Sequence, residues 1–158
     1  MIAAPKARRV PARRAKKLPP WKRNPEKYCS EPRCHRPRRA ILRCATHAVR
    51  ELDSLWSRLV KAKGICELAD SHPTFPCSGI LNAAHGFSRR YAGTRHILLN
   101  GFAICGAAHT YWTHRPLEWD VILRERWGES VYEELRRLAL KAGRPDYELT
   151  FSDLVEEA

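Results

Sequence analysis

The sequence predicts a small α+β domain that is stabilised by zinc and contains a two-stranded hairpin with helices on either side. Three observations carry this prediction. The 158 residues include six cysteines, several of them close to histidines at the spacing of metal ligands. Two short apolar stretches are separated by a basic connection, and other segments place apolar residues at helical spacing. The length favours one domain with an appendage.

The N-terminal part of the chain is strongly basic. The net charge is +12, and residues 1–50 hold 16 of the 29 Lys and Arg but only two of the 17 acidic residues. Residues 1–27 also carry five prolines and few apolar side chains, which predicts a disordered or extended arm. Because Lys and Arg displace counterions from phosphates, this arm is expected to bind nucleic acid. The alternative is a tail that is basic only for solubility.

Residues 28–47 are predicted to form a zinc knuckle. The spacing is two thiols, a basic loop, then a third thiol and a histidine: Cys29-x4-Cys34-x9-Cys44-x2-His47. A segment this short and polar cannot bury a core, so metal binding would supply its folding free energy. The alternative is a set of unrelated surface thiols. The basic loop is expected to contact phosphates through Arg36, Arg38 and Arg39.

A bridging helix is predicted over residues 48–64, with its apolar face followed by Gly64 as the helix stop. That face consists of Leu52, Leu55, Trp56, Leu59 and Val60. The core is assigned to residues 65–128. Its hairpin would pair Ile80–His85 with Ile97–Cys105, and a helix would follow at 106–114.

Further helices are predicted towards the C-terminus. One would begin at Pro116 and end at Gly128, and its apolar side is assigned to four residues: Leu117, Val121, Ile122 and Trp127. Residues 129–158 are assigned to the C-terminal helices. Ser130 is the expected N-cap of a helix over 131–142, and Ser152 of a short turn at Asp153–Glu157.

The three remaining thiols suggest a second zinc site. Cys66, Cys77 and Cys105 need a fourth ligand, which we expect to be His109, with His72 as the alternative. The long gap between Cys66 and Cys77 makes this pattern less regular than the first one.

The stretch from Cys66 to Trp119 resembles the HNH (ββα-metal, treble-clef-like) endonucleases, especially small phage-encoded proteins of the recombination-nuclease type. The resemblance lies in residues 84–91 (AHGFSRRY), 94–95 (TR), Asn100, 104–105 (IC), His109 and 114–119 (HRPLEW). The knuckle at 28–47 also resembles the short zinc module that often precedes such domains.

This resemblance implies a metal-dependent DNA endonuclease that acts in phage recombination, DNA processing or junction cleavage. His85 would be the general base, and Asn100 would hold the loop that orients it. His109 would bind a catalytic divalent ion such as Mg²⁺, together with His114, or His114 would take this role alone if His109 serves the second zinc site. Three arginines would contact neighbouring phosphates: Arg89, Arg90 and Arg95. A junction-cleaving enzyme would act as a homodimer, because it needs two active sites.

Two departures from the family pattern leave an alternative open. Ala108 stands where a fourth zinc-binding cysteine is expected, and Ala84 stands where many relatives have a metal ligand. The alternative is therefore a non-catalytic, zinc-dependent nucleic-acid-binding protein on the same scaffold. A third interpretation, a protein-binding module, rests on the acidic C-terminus.

The sequence also predicts a location. It contains no apolar stretch of about 18 residues, so no membrane span is expected. Without the apolar segment of a signal peptide, the expected location is the cytoplasm, which is the host cytoplasm for a phage-encoded protein.

Overall fold

The structure is a computed structural model. It describes residues 19, 22, 24–38, 43–71, 77, 79–141, 143 and 146–157. Most of the predicted basic arm lies outside the described residues, and so do Arg39 and His72.

The described residues form an α+β fold, as predicted, with five α-helices and one two-stranded sheet. Strands β1 and β2 are antiparallel, with Leu81 opposite Cys105 and His85 opposite Gly101. The elements in chain order are α1 (Ala45–Lys61), β1 (Leu81–His85), β2 (Gly101–Cys105), α2 (Gly106–Thr113), α3 (Pro116–Trp127), α4 (Glu129–Leu140) and α5 (Tyr147–Glu156).

Helix α1 packs against one face of the hairpin. It begins at Ala45, three residues earlier than predicted, with Cys44 as its N-cap, and Gly64 follows its end at a φ of +76°. Its buried residues are Ala48, Leu52, Leu55, Trp56 and Val60. The approach to β2 is close: a Cβ atom on Gly101 would lie 2.4 Å from Val60 Cγ2. Glycine at this position therefore lets the helix lie directly on the strand.

The hairpin lies between two apolar clusters. All five residues of β2 are buried. Ala103 faces the α1 side, whereas Phe102 and Ile104 belong to a second cluster with Trp112 and Leu123. This alternation follows from the two-residue period of a strand, and it makes β2 the centre of the fold.

The buried side of α3 differs from the prediction. Leu117 and Val121 are 82% and 53% exposed. The helix instead packs through Leu123 together with Trp119, Ile122 and Trp127. The prediction is confirmed for Ile122 and Trp127 and wrong for Leu117 and Val121. The helix carries apolar residues on more than one side, so the position of the hairpin decides which side is buried.

The C-terminal caps also differ from the prediction. Helix α4 begins at Glu129 after Gly128, so Ser130 lies in its first turn and is not the N-cap. Helix α5 extends over Tyr147–Glu156 and is longer than the predicted turn. The carboxylate of Asp146, rather than Ser152, accepts a hydrogen bond from a first-turn amide, the N–H of Leu149, at 3.2 Å. In the part of the chain that the structure describes, no helix combines the length and apolar character needed to cross a bilayer.

Candidate functional site

The first cysteine cluster has the dimensions of a zinc tetrahedron. The ligand atoms of Cys29, Cys34, Cys44 and His47 all lie within 4.8 Å of one another. Cys34 Sγ is 3.7 Å from Cys44 Sγ, and His47 Nδ1 is 3.5 Å from Cys44 Sγ and 3.2 Å from Cys29 Sγ. Tetrahedral zinc, with Zn–S of about 2.3 Å and Zn–N of about 2.0 Å, places two sulfurs about 3.8 Å apart. The predicted ligands therefore fit zinc.

Local backbone structure brings these four ligands together. Tyr28 pairs with Pro37 in a β-bridge, and the Cys29 N–H donates to the Arg36 carbonyl at 3.0 Å. Cys44 is the N-cap of α1, and His47 lies in the first turn of that helix. The N-terminus of a helix favours thiolate charge, so this cluster and the start of α1 support each other.

The arginines of the knuckle lie close to this cluster. Arg36 is exposed and donates to Thr46 Oγ1 at 2.6 Å, and Arg38 is also exposed. Both are accessible to a phosphate backbone, and their predicted role in DNA binding stays a prediction.

The second cluster contains Cys66, Cys77 and Cys105, whose sulfurs lie within 4.8 Å of one another. The Cys105 N–H donates to Cys66 Sγ and the Ala108 N–H donates to Cys105 Sγ, each at 3.4 Å. Desolvation, hydrogen bonding and charge repulsion from the other two sulfurs raise the pKa of the Cys77 thiol to about 11. A bound cation would relieve this repulsion, which is the chemistry that a thiolate zinc site supplies.

His109 does not join the second cluster. Ala108 is buried beside Cys105, and the next residue of a helix points about 100° away. His109 is accordingly exposed and lines a groove on another side of α2. This position does not agree with the predicted role of His109 as the fourth zinc ligand, and its predicted role as a ligand of the catalytic ion stays a prediction. Within the described ranges, no fourth His, Cys, Asp or Glu completes the cluster.

The groove runs between α1, β1 and α2 and has a volume of about 890 Å³. It brings together two of the predicted catalytic histidines, His85 and His109, with the predicted phosphate contact Arg89. His114 is exposed at the C-cap of α2 and does not line the groove. Arg90 is exposed nearby and donates to the hydroxyl of Tyr91 at 3.1 Å.

His85 is held by a hydrogen bond at the edge of its ring and by a stacked indole on the ring face. Its Nε2 lies 2.9 Å from the carbonyl oxygen of Arg95, and its ring stacks on Trp56 with centroids 3.9 Å apart. A carbonyl can only accept, so Nε2 carries the proton and Nδ1 keeps a lone pair. Burial lowers the pKa of His85, although the Arg95 carbonyl and the charge of Asp53 partly oppose it. The imidazole is therefore neutral at pH 7.

Asn100 holds the segment that joins β1 to β2 and begins directly after His85. It is fully buried, and its Nδ2 donates to the carbonyls of Phe87 and Thr94 at 3.0 Å each. Its Oδ1 accepts the N–H of Phe87 at 2.7 Å, and its own carbonyl accepts the N–H of Gly86 at 2.8 Å. The first three are side-chain to backbone bonds of the kind expected for this residue, and the fourth joins two backbone groups.

Arg95 has other partners than the predicted phosphate. Its guanidinium donates two hydrogen bonds to Asp53, at 2.8 and 2.6 Å, and the same carboxylate lies 2.9 Å from His96 Nε2. A guanidinium satisfied in this way is a poor phosphate ligand, and in this structure it fixes the connection onto α1.

Sequence reasoning assigned none of the four α1 residues that border the groove to a functional site: Asp53, Trp56, Ser57 and Lys61. Trp56 was assigned only to the apolar face, and Asp53 and Lys61 gave no local signal. Their relation to His85 arises from packing between distant segments.

Comparison of the chain with protein-family models, with curated proteins and with solved structures finds no match. The candidate function therefore rests on the groove and on the two cysteine clusters.

Proposed function

We propose that this protein is a zinc-stabilised, metal-dependent endonuclease that hydrolyses DNA phosphodiester bonds with His85 as the general base. The supporting observation is the hydrogen bonding and the protonation state of the His85 ring. Its Nε2 is occupied by the Arg95 carbonyl, its low pKa keeps it neutral, and its Nδ1 retains the lone pair that accepts a proton from water. A neutral histidine beside a groove that can hold a phosphate suits hydrolysis at neutral pH.

The surroundings of His85 favour an anionic, extended substrate. Lys61 and Arg89 line the same groove and attract a phosphate backbone. Asn100 keeps the connection after β1 in place, so the substrate meets a preorganised base.

A catalytic divalent ion would find few protein ligands here. Within the described residues, no three His, Cys, Asp or Glu ligand atoms cluster in the groove, although His109 lines it. When bound, an ion such as Mg²⁺ would stabilise charge on the leaving oxygen. Water and substrate phosphate would have to supply most of its coordination, as Mg²⁺ sites commonly allow.

A second function is favoured by one observation. Ala84, directly before His85, is buried and contributes no metal ligand where many HNH enzymes have one. The second candidate is a nucleic-acid-binding protein that uses the same groove without cutting.

The two candidates are separated by cleavage assays on supercoiled and branched DNA with Mg²⁺, Mn²⁺ or Zn²⁺. Protein with verified zinc content should nick or cut the DNA, and His85→Ala should lose cutting while its Kd for DNA stays within about twofold, since the side chain serves chemistry rather than affinity. His35→Ala removes an exposed histidine outside the groove and should cut normally.

Absence of cutting with every metal would refute the nuclease. Tight, salt-sensitive binding by the same samples would then support the non-catalytic alternative.

A further inference from the structure

Helix α1 contacts the candidate base from two directions. The indole of Trp56 lies against the face of the His85 ring, with centroids 3.9 Å apart and planes inclined by 15°. The carboxylate of Asp53 binds the guanidinium of Arg95, and the carbonyl of Arg95 accepts the Nε2 proton of His85. Residues three apart in a helix lie on one face, so a single turn of α1 supplies both contacts.

We propose that Asp53 and Trp56 are positioning residues for His85: Trp56 fixes the plane of the ring, and Asp53, acting through Arg95, fixes the carbonyl that orients its edge. This inference rests on the proposed function only for its consequence in catalysis. The positioning itself concerns contacts within the folded protein.

Both positioning residues are themselves held by several contacts. Trp56 is 2% exposed, and its Nε1 donates to the carbonyl of Ile97 at 3.1 Å. Asp53 binds His96 as well as Arg95. Although burial opposes it, these partners hold the pKa of Asp53 below its ordinary value. The carboxylate therefore stays ionised, and the pair with Arg95 persists across neutral pH.

The same helix begins at the first cysteine cluster. Cys44 caps α1, and Trp56 and Asp53 follow along the helix. Two of the four candidate zinc ligands, Cys44 and His47, lie at the start of α1, so bound zinc would fix that end of a helix that packs on β2 and supports the candidate base. Zinc bound there would thereby help to hold α1, and with it the position of His85.

Trp56 and Asp53 shift the pKa of His85 in opposite directions. Burial lowers the pKa of His85, whereas the negative charge of Asp53 raises it. Loss of the stacked indole should therefore raise this pKa, and loss of the carboxylate charge should lower it further. The charged or titratable groups near the ring or along the groove are Asp53, Lys61, Arg89, Arg95, His96 and His109.

The test compares Trp56→Leu, Trp56→Phe and Asp53→Asn with wild type. NMR titration gives the pKa of His85, and single-turnover cleavage with DNA-binding titrations gives kcat and Kd. We expect Trp56→Leu to raise the pKa and Asp53→Asn to lower it. Each should reduce kcat roughly ten- to a hundredfold without weakening DNA binding, because a misplaced base slows chemistry and not association. Trp56→Phe keeps a stacked ring and should stay close to wild type.

Asp120→Asn is the matched control. Asp120, on α3, also pairs with an arginine, Arg124, and accepts a hydrogen bond from Tyr132, but it does not line the groove and is not among the charges that act on His85. Its removal should leave the His85 pKa and kcat unchanged.

The inference is overturned if Asp53→Asn and Trp56→Leu leave the pKa of His85 unmoved, or if both shift it in the same direction. It is also overturned if Trp56→Phe behaves like Trp56→Leu, since the stacked ring would then have no special role. Trp56→Leu can fail to fold, so two outcomes overturn the inference without it. One is an Asp53→Asn variant whose His85 pKa is unmoved or raised, and the other is a Trp56→Phe variant whose His85 pKa and kcat depart from wild type. If wild type does not cut DNA, the proposed function fails, while the opposite pKa shifts would still support the positioning.

Discussion

Replacement of Asn100 tests whether the connection after β1 is held as the structure shows. The side chain is fully buried and makes three hydrogen bonds to backbone groups of Phe87 and Thr94. Asn100→Ala removes all three and leaves two carbonyls and one N–H without their partner. Asn100→Asp keeps the shape of the side chain but replaces the donor Nδ2 with an oxygen that faces two carbonyl oxygens.

The expected loss of stability follows from the number of hydrogen bonds that the substitution removes. A buried hydrogen bond contributes about 1 kcal/mol net, so Asn100→Ala should lower the free energy of unfolding by about 3 kcal/mol. This is a large fraction of the roughly 5–15 kcal/mol that stabilises a domain. Asn100→Asp should cost more at pH 7, because it adds a buried charge and two repulsive contacts. Burial raises the pKa of such a carboxyl, so part of the stability should return as the pH is lowered.

The assay is urea unfolding followed by tryptophan fluorescence at fixed, saturating zinc, so that metal binding contributes equally to every variant. Asn82→Ala is the matched control, because Asn82 is an exposed asparagine on β1. Its effect should stay within about 0.5 kcal/mol. A loss below about 1 kcal/mol for Asn100→Ala, or Asn100→Asp as stable as wild type at pH 7, would refute the reasoning.

Three further predictions concern metal, DNA and pH. Native mass spectrometry should find two zinc ions per chain, and Cys77→Ser should leave one, because the second cluster would lose one of its three described sulfurs. Lys61→Met should reduce the salt dependence of DNA binding by about one phosphate contact, whereas Lys63→Met should not, because Lys63 is paired with Glu67 and lies outside the residues that line the groove. The acid limb of the cleavage profile should lie below pH 6.5, because burial lowers the pKa of His85 and its neutral form persists to lower pH; a midpoint above 6.5 would contradict this.

The elements that sequence reasoning predicted well are those that depend on neighbouring residues. Helix α1, the paired strands and helix α2 all lie close to their predicted positions, because periodicity and stop residues act within a few turns. The first cysteine cluster is similar. Its four ligands occupy one short segment, and their spacing alone predicted a group that the structure brings within 4.8 Å.

Other features needed the folded chain. The apolar side of α3 could not be fully predicted, because Leu117 and Trp119 are both large hydrophobic residues and only the place of the hairpin exposes one and partly buries the other. His109 likewise lies four residues after Cys105, a spacing compatible with a shared metal. On α2, however, His109 lies outside the second cluster and lines the groove.

The first candidate zinc site could be predicted from the sequence alone, because Cys29, Cys34, Cys44 and His47 lie within one short stretch of chain. The surroundings of His85 were decided only by tertiary structure. Asp53 and Arg95 are 42 residues apart, and Trp56 meets His85 only because α1 lies across β1 and β2. Spacing along a chain encodes contacts within a helix or a turn. The packing of two distant faces decides whether a histidine has the support that a general base requires.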